Sequence, residues 1–304
     1  MNKTSIISIK NLTKRYGNTT ALNRISVEFQ SGVTGLIGPN GAGKTTLIKI
    51  MLGLIFPDEG YVQILGSDTS QDSLVIRRKV GVLHERPYYP SYMKTEDYLL
   101  HVAELYGVCR DVGDLLESVG LHSVSDRRIR ELSGGMLRKL GIAQAIAGNP
   151  QIAILDEPTA NLDVEGRDAV INLLGDLSRT DGMNIIVSSH ILSELEKLCD
   201  NVVFIKNGEL VVKGAISEIV SEYSQDRYKV VCSDAIRLVE TLRFKEGVHS
   251  IYPVGTRLVL FSYEGVDMKQ IWAIVEKAAE ESGVTMDGLM KSESLEDIYR
   301  EVMK

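Results

Sequence analysis

Cysteine is scarce in this chain, with three among 304 residues: Cys109, Cys199 and Cys232. They are odd in number and far apart, so they offer neither a disulfide framework nor a C-x-x-C zinc spacing. Free thiols in a reducing compartment are the expectation. Also missing is any uninterrupted apolar run near the ~20 residues that a bilayer-crossing helix needs. The opening Met1-Asn2-Lys3-Thr4 leads straight into a strand-like stretch without a signal-peptide core. Basic excess is absent too. The net charge is −7, which argues against nucleic acid as the main partner, since such domains run basic. There is no internal repeat and no low-complexity tract. What remains is ordinary globular composition, 44% hydrophobic and 25% charged, in a length that accommodates a large domain and a small one.

Against that plain background three strings stand out. Gly38-Pro39-Asn40-Gly41-Ala42-Gly43-Lys44-Thr45 is a complete phosphate loop, G-x-x-x-x-G-K-[ST]. Its glycines let backbone N–H groups turn inward around phosphate oxygens. Lys44 carries positive charge to the β and γ phosphates, and the Thr45 hydroxyl is placed to ligate Mg²⁺. Val33–Ile37 reads as the strand entering the loop and Thr46–Leu52 as the helix leaving it, whose N-terminus favours an anion. The second string, Leu132-Ser133-Gly134-Gly135-Met136, reads as a serine-capped helix start. Its hydroxyl and glycine amides form a second anion site. The third, Gln151-Ile152-Ala153-Ile154-Leu155-Asp156-Glu157-Pro158, is an apolar strand ending in two carboxylates. Unpaired carboxylates there are costly to desolvate, and a metal and a water offset that cost.

These strings occur in the order found in the ATP-binding subunits of ATP-binding-cassette (ABC) transporters, which the chain resembles over roughly residues 5 to 220. The resemblance extends to Ala160-Asn161-Leu162-Asp163, similar to the family's D-loop, and to Asn184–His190, similar to the strand carrying its switch histidine. Lys14-Arg15-Tyr16-Gly17 stands where the family places an aromatic ring against adenine. One position departs: Glu85 follows Val80–His84 where a glutamine is usual, and it adds negative charge beside Asp156 and Glu157. Glutamate there resembles the ATPases paired with ABC-2-type export permeases, which often end in a string like Ser294-Leu295-Glu296-Asp297-Ile298-Tyr299.

The resemblance implies an α/β fold: a P-loop NTPase core with an antiparallel β subdomain and a helical subdomain at about 86–150, within an ABC ATPase domain at 1–222. A small C-terminal α+β module at 223–304 follows the polar stretch Ser221–Asp226. It implies a Mg²⁺-dependent ATPase in which two subunits, two copies or this chain and a homologue, close head-to-tail around ATP. Tyr16 then stacks on adenine. Gly38, Asn40, Gly41, Ala42, Gly43, Lys44, Thr45 and Thr46 hold the phosphates, with Ser133, Gly134 and Gly135 facing them from the other subunit. Thr45, Glu85 and Asp156 serve the metal. Glu157 polarises water, His190 senses the γ-phosphate, and Asp163 reaches across the dimer. The partner is an integral membrane permease, at the cytoplasmic face of the cell membrane, with no nucleic acid expected. Arg86-Pro87-Tyr88-Tyr89-Pro90-Ser91-Tyr92 is either its docking groove or packing for the helical subdomain. The competing reading is a soluble ATPase of the same superfamily acting on nucleic acid or the ribosome. Against it, no long coiled-coil insertion and no second cassette is present.

Periodicity adds the following expectations. Strands fall at Ile6–Leu12, Ile25–Phe29 and Tyr61–Leu65. Helices fall at Glu96–Tyr106, Val112–Val119 and Met136–Ala147, and a hairpin turns at Lys206-Asn207-Gly208-Glu209. In the tail, strands fall at Arg227–Cys232 and Arg257–Ser262. Met268, Ile271, Trp272, Val275 and Ala278 line a core-facing helix, and Ser294 with Asp297 opens a last helix.

Overall fold

The computed structural model describes residues 5–107, 111–223, 226–263, 265, 267–292 and 294–303. Cys109, the Met1–Thr4 opening and residues 224–225 of the polar stretch lie outside the described residues. Two compact units are present, residues 1–216 and 217–304.

In the first unit, β1 (Ser5–Tyr16) and β2 (Thr19–Gln30) form a long antiparallel hairpin. Both run well beyond the short stretches that alternation picks out, because the pairing continues through Lys14↔Leu22, Arg15↔Thr20 and Tyr16↔Thr19, past irregular positions where Asn11 and Arg24 take φ 49°. Then come β3 (Val33–Ile37), α1 (Lys44–Met51), β4 (Glu59–Ile64), the short β5 (Ser67–Asp68), α2 (Ser73–Lys79) and β6 (Val80–Leu83). A helical segment follows with α3 (Thr95–Tyr106), α4 (Val112–Ser118) and α5 (Gly134–Ile146). The unit closes with β7 (Ile152–Asp156), α6 (Val164–Asp181), β8 (Asn184–Ser188), α7 (Leu192–Leu198), β9 (Asn201–Lys206) and β10 (Glu209–Ala215).

Two sheets result. The antiparallel one has order β2-β1-β4-β5, and the other has order β10-β9-β3-β8-β7-β6, parallel except at β10. Strands β3 and β7 are buried at every position, the signature of parallel strands covered on both faces. All five central strands run the same way, so their C-terminal ends share one edge. That edge carries Gly38, Glu85, Glu157 and His190, where an open α/β sheet places its ligands. The β9–β10 hairpin turns at Asn207 (φ 51°) and Gly208 (φ 78°), both left-handed as a type I′ turn requires.

The first unit ends at Ile216, where α8 (Ile216–Tyr223) begins. In the second unit, β11 (Arg227–Cys232), α9 (Ala235–Leu242), β12 (Val248–Val254), β13 (Leu258–Tyr263), α10 (Met268–Ser282) and β14 (Met286–Lys291) precede α11 (Leu295–Val302). The sheet is antiparallel with order β12-β13-β11-β14. This βαββαβ arrangement is ferredoxin-like. Tyr228, Val230 and Cys232 on β11 meet Leu238 and Leu242 of α9 and Ile271, Val275 and Ala278 of α10 in one core. Trp272 corrects the expectation for α10: it is 40% exposed, because it lies one position, about 100°, off the buried stripe. Ser294 caps α11 by accepting from Asp297 N at 3.2 Å. The Asp297 carboxylate completes no capping box but accepts from Lys229 Nζ at 3.2 Å.

Candidate nucleotide site

The loop between β3 and α1 is shaped by its glycines. Gly41 (φ 81°) and Gly43 (φ 109°) are left-handed, which curls successive N–H groups toward one side, as in an anion nest. A Cβ on Gly43 would lie 2.6 Å from the carbonyl oxygen of Ala21, and one on Gly38 would lie 2.3 Å from that of Ile205. The loop is therefore pressed against its own domain. Lys44 Nζ donates to the carbonyls of Gly38 at 2.6 Å and Pro39 at 3.2 Å. Burial pulls the Lys44 ammonium below its usual pKa, while Glu157, Asp156 and Glu85 oppose that shift. Those three carboxylates thus share one electrostatic neighbourhood with the loop lysine. Asn40 and Thr45 are exposed and Thr46 half-buried. Ala42 offers no side chain: its methyl is in the core and its N–H donates to Pro39 O at 3.1 Å.

Opposite the loop, β7 and β8 pair so that Asp156 stands beside Ser188. The Ser188 hydroxyl donates to Asp156 Oδ1 at 2.5 Å and accepts from Glu157 N at 3.0 Å. Glu157 N also donates to the Ser188 carbonyl at 3.1 Å. These bonds hold Glu157 at φ 53°, a left-handed conformation costing about 1–2 kcal/mol for a residue with a Cβ. Strain of this kind collects where a side chain must be aimed. Its Oε2 lies 2.8 Å from His190 Nδ1. An ionised carboxylate only accepts, so Nδ1 donates in this pair and Nε2 is left for another partner. The imidazole is 68% exposed while the Glu157 side chain is 14% exposed. The histidine therefore faces outward over a sheltered carboxylate.

Asp156, Glu157, His190, Glu85 and Lys44 are thus brought together. Other predicted residues are held by contacts of their own. Tyr16, 49% exposed, ends β1 with the Lys14 ammonium 5.6 Å from its ring centroid. Ser133 caps α5 by accepting from Met136 N at 3.3 Å, and Ser133 and Gly134 are exposed. Asp163 caps α6 by accepting from Gly166 N at 2.8 Å. The tyrosine-rich stretch divides: Tyr88 (94%) and Tyr92 (72%) are exposed, whereas Tyr89 is buried against Tyr98.

Sequence reasoning missed Ser188, whose role depends on the β7–β8 register. Its only signal was a hydroxyl two residues before His190. It also missed buried Glu194, which accepts from Thr159 Oγ1 at 2.6 Å and from Ser189 Oγ at 3.4 Å. That carboxylate ties the turn after Glu157 to the residue before His190.

The donor set suits a nucleotide with Mg²⁺. A left-handed glycine loop and a lysine suit anionic oxygens, and Asp156 and Glu85 share the neighbourhood of that lysine. Mg²⁺ is typically bound by one or two carboxylates plus substrate phosphates rather than by an all-protein cage.

Comparison with known proteins agrees. The ABC transporter family model matches residues 22–160. The chain is 31% identical over 304 residues to the uncharacterized ABC transporter ATP-binding protein YxlF of Bacillus subtilis (strain 168), covering 98% of this chain and 99% of that one. It is 39% identical over 217 residues to the bacitracin transport ATP-binding protein BcrA of Enterococcus faecalis, covering 70% of each. Among solved structures, the dimeric post-hydrolysis state of an ATP-binding cassette bound to ADP and Pi superposes with TM-score 0.62 at 26% identity, over 69% of this chain and 98% of that one. The chain belongs to the ATP-binding proteins of the ABC transporters. It is an ATP-binding, ATP-hydrolysing subunit that powers transport. No described helix is long and apolar enough to cross a membrane.

Proposed function

We propose that this chain drives an ABC-2-type exporter by closing head-to-tail on a second copy or a homologous subunit, with ATP held between them. The observation that carries the reading is Glu157: strained, sheltered, and hydrogen-bonded to an outward-facing His190 beside the phosphate-loop lysine. The exposed serine-capped start of α5 supports a shared site, since its free amides can serve a phosphate on another chain.

In this reading Lys44 and the amides of residues 40–46 bind the phosphates, Tyr16 packs on adenine, and Asp163 contacts the opposing subunit. Thr45, Glu85 and Asp156 would hold Mg²⁺, which would supply charge to polarise phosphate oxygens. Glu157 orients water and accepts its proton, a role that contributes about 10²–10⁴-fold. His190 donates from Nδ1 to Glu157, fixing the carboxylate, and, when doubly protonated, also donates from Nε2 to the γ-phosphate. Loss of that phosphate removes contacts on both subunits, so the pair opens. Exposed Tyr88 and Tyr92 face the permease, as aromatic residues suit interfaces, at the cytoplasmic side of the membrane. Export is supported by Glu85 and by the Leu295–Tyr299 string, and the bacitracin transport relative is in keeping with it.

Glu157→Gln tests the reading. Steady-state phosphate release falls about 10²–10⁴-fold, ATP binding persists, and an ATP-bound dimer accumulates on size-exclusion chromatography. Unchanged turnover removes Glu157 from the role.

A further inference from the structure

Helix α5 lies against β6 more closely than side chains permit. A Cβ on Gly81 would sit 1.7 Å from the carbonyl oxygen of Ala145. One on Gly141 would sit 2.5 Å from both Leu83 Cδ1 and the Tyr89 hydroxyl. At this contact Arg138 is buried, only 6% exposed. Its Nη1 donates to His84 O at 3.2 Å and its Nη2 to Glu85 O at 3.1 Å. The Tyr89 hydroxyl donates back to Leu137 O at 3.3 Å. The planar fork of arginine is suited to two acceptors at once, and its charge persists on burial.

We propose that Arg138 is a positioning residue for hydrolysis. It locks the backbone of the Glu85 loop to the helix that begins at Ser133-Gly134-Gly135, so that the metal-side loop and the partner-facing anion site move as one body. Arg138 lies little more than one helical turn from Ser133. A displacement at the start of α5 is therefore delivered to Glu85 and, through Tyr89, to the exposed tyrosines beyond it. A loop tied only by its own chain would follow α5 poorly. The inference rests on the proposed roles of Glu85 and Ser133, while the clamp itself is independent of them.

The test uses the full chain with Arg138→Gln, Arg138→Lys and, as a control, Arg77→Gln. Arg77 also grips two carbonyls, Leu52 O at 3.2 Å and Gly53 O at 3.0 Å, but at the C-terminus of α1. Three quantities are read: amide hydrogen exchange across residues 84–89, MgCl₂ required for half-maximal binding of a fluorescent ATP analogue in a Glu157→Gln background, and kcat with KM for ATP. Arg138→Gln is expected to speed exchange about tenfold, raise the MgCl₂ requirement about fivefold and lower kcat about tenfold, with KM changed less than about twofold. Arg138→Lys, which reaches one carbonyl at a time, falls between. Arg77→Gln lowers Tm but leaves all three readings unmoved. Unchanged exchange across 84–89 in Arg138→Gln overturns the proposal, as does a kcat loss no larger than that of Arg77→Gln. If Arg138→Gln does not fold, unchanged exchange in Arg138→Lys overturns it equally. Glu85→Ala separates the two readings: an unaltered MgCl₂ requirement there refutes the metal role of Glu85, while exchange in the Arg138 variants still decides the clamp.

Discussion

The two units arrange their charges differently. In residues 1–216, Asp156, Glu157, Glu85 and Lys44 crowd one edge of the parallel sheet, and a non-glycine backbone is held left-handed among them. In residues 217–304, buried Asp297 meets Lys229, Arg227 pairs with Glu301, and Arg257 with Asp287. Those pairs lie on or beside the sheet, each charge answered by its neighbour. Charges left close to like charges mark a place where something else must bind; charges paired one to one mark a place built to stay folded. The crowded carboxylates and the phosphate-loop lysine lie in the first unit.

Ser133→Arg gives the largest separation between the units. Filling the exposed start of α5 with a bulky cation should reduce turnover to background while leaving nucleotide binding to the single chain intact. Normal phosphate release in that variant refutes the shared site. Next comes Ser188→Ala, which strips Asp156 of its hydroxyl donor and Glu157 N of an acceptor. A fall of about tenfold in kcat is expected from a lost bond to a charged group, and calorimetry should show a smaller change in ATP affinity.

A pH effect of intermediate size follows from Lys44. Burial lowers its pKa below 10.5, so the free protein loses this ammonium before an exposed lysine would. ATP affinity should drop as pH rises through that lowered value, and Lys44→Arg should move the drop to higher pH because a guanidinium keeps its charge. Stability runs the opposite way. Between the lowered value and 10.5 the unfolded chain binds more protons, so the folded state gains as pH rises there. The smallest effect on chemistry belongs to the second unit. Asp297→Asn should cost about 1–3 kcal/mol of stability by thermal melting, with turnover per folded chain unaltered. A proportional loss of kcat would erase the contrast between the units.

Much of the site was legible because its residues are contiguous strings whose local geometry carries the chemistry. A phosphate loop needs only its own glycines and a strand and helix on either side. Ser188 and Arg138 were hidden for the opposite reason: one acts through strand register, the other through a helix docked on a distant loop. In the second unit, β12 contains Pro253 and exposed His249 and Ser250, and β14 contains Gly288. Proline and glycine weaken strand signals, so the ferredoxin-like order emerges only from the pairing. Trp272 falls next to the helical spacing of the α10 stripe, but its angular position faces outward.

The central claim is that ATP is split only where two chains each supply part of the pocket. Light scattering and phosphate release on the same fractions, over a dilution series, test it most directly. The account predicts that turnover per chain rises with the fraction of paired molecules and vanishes in fractions of monomer mass. A monomer that never pairs yet hydrolyses ATP at the full rate contradicts it.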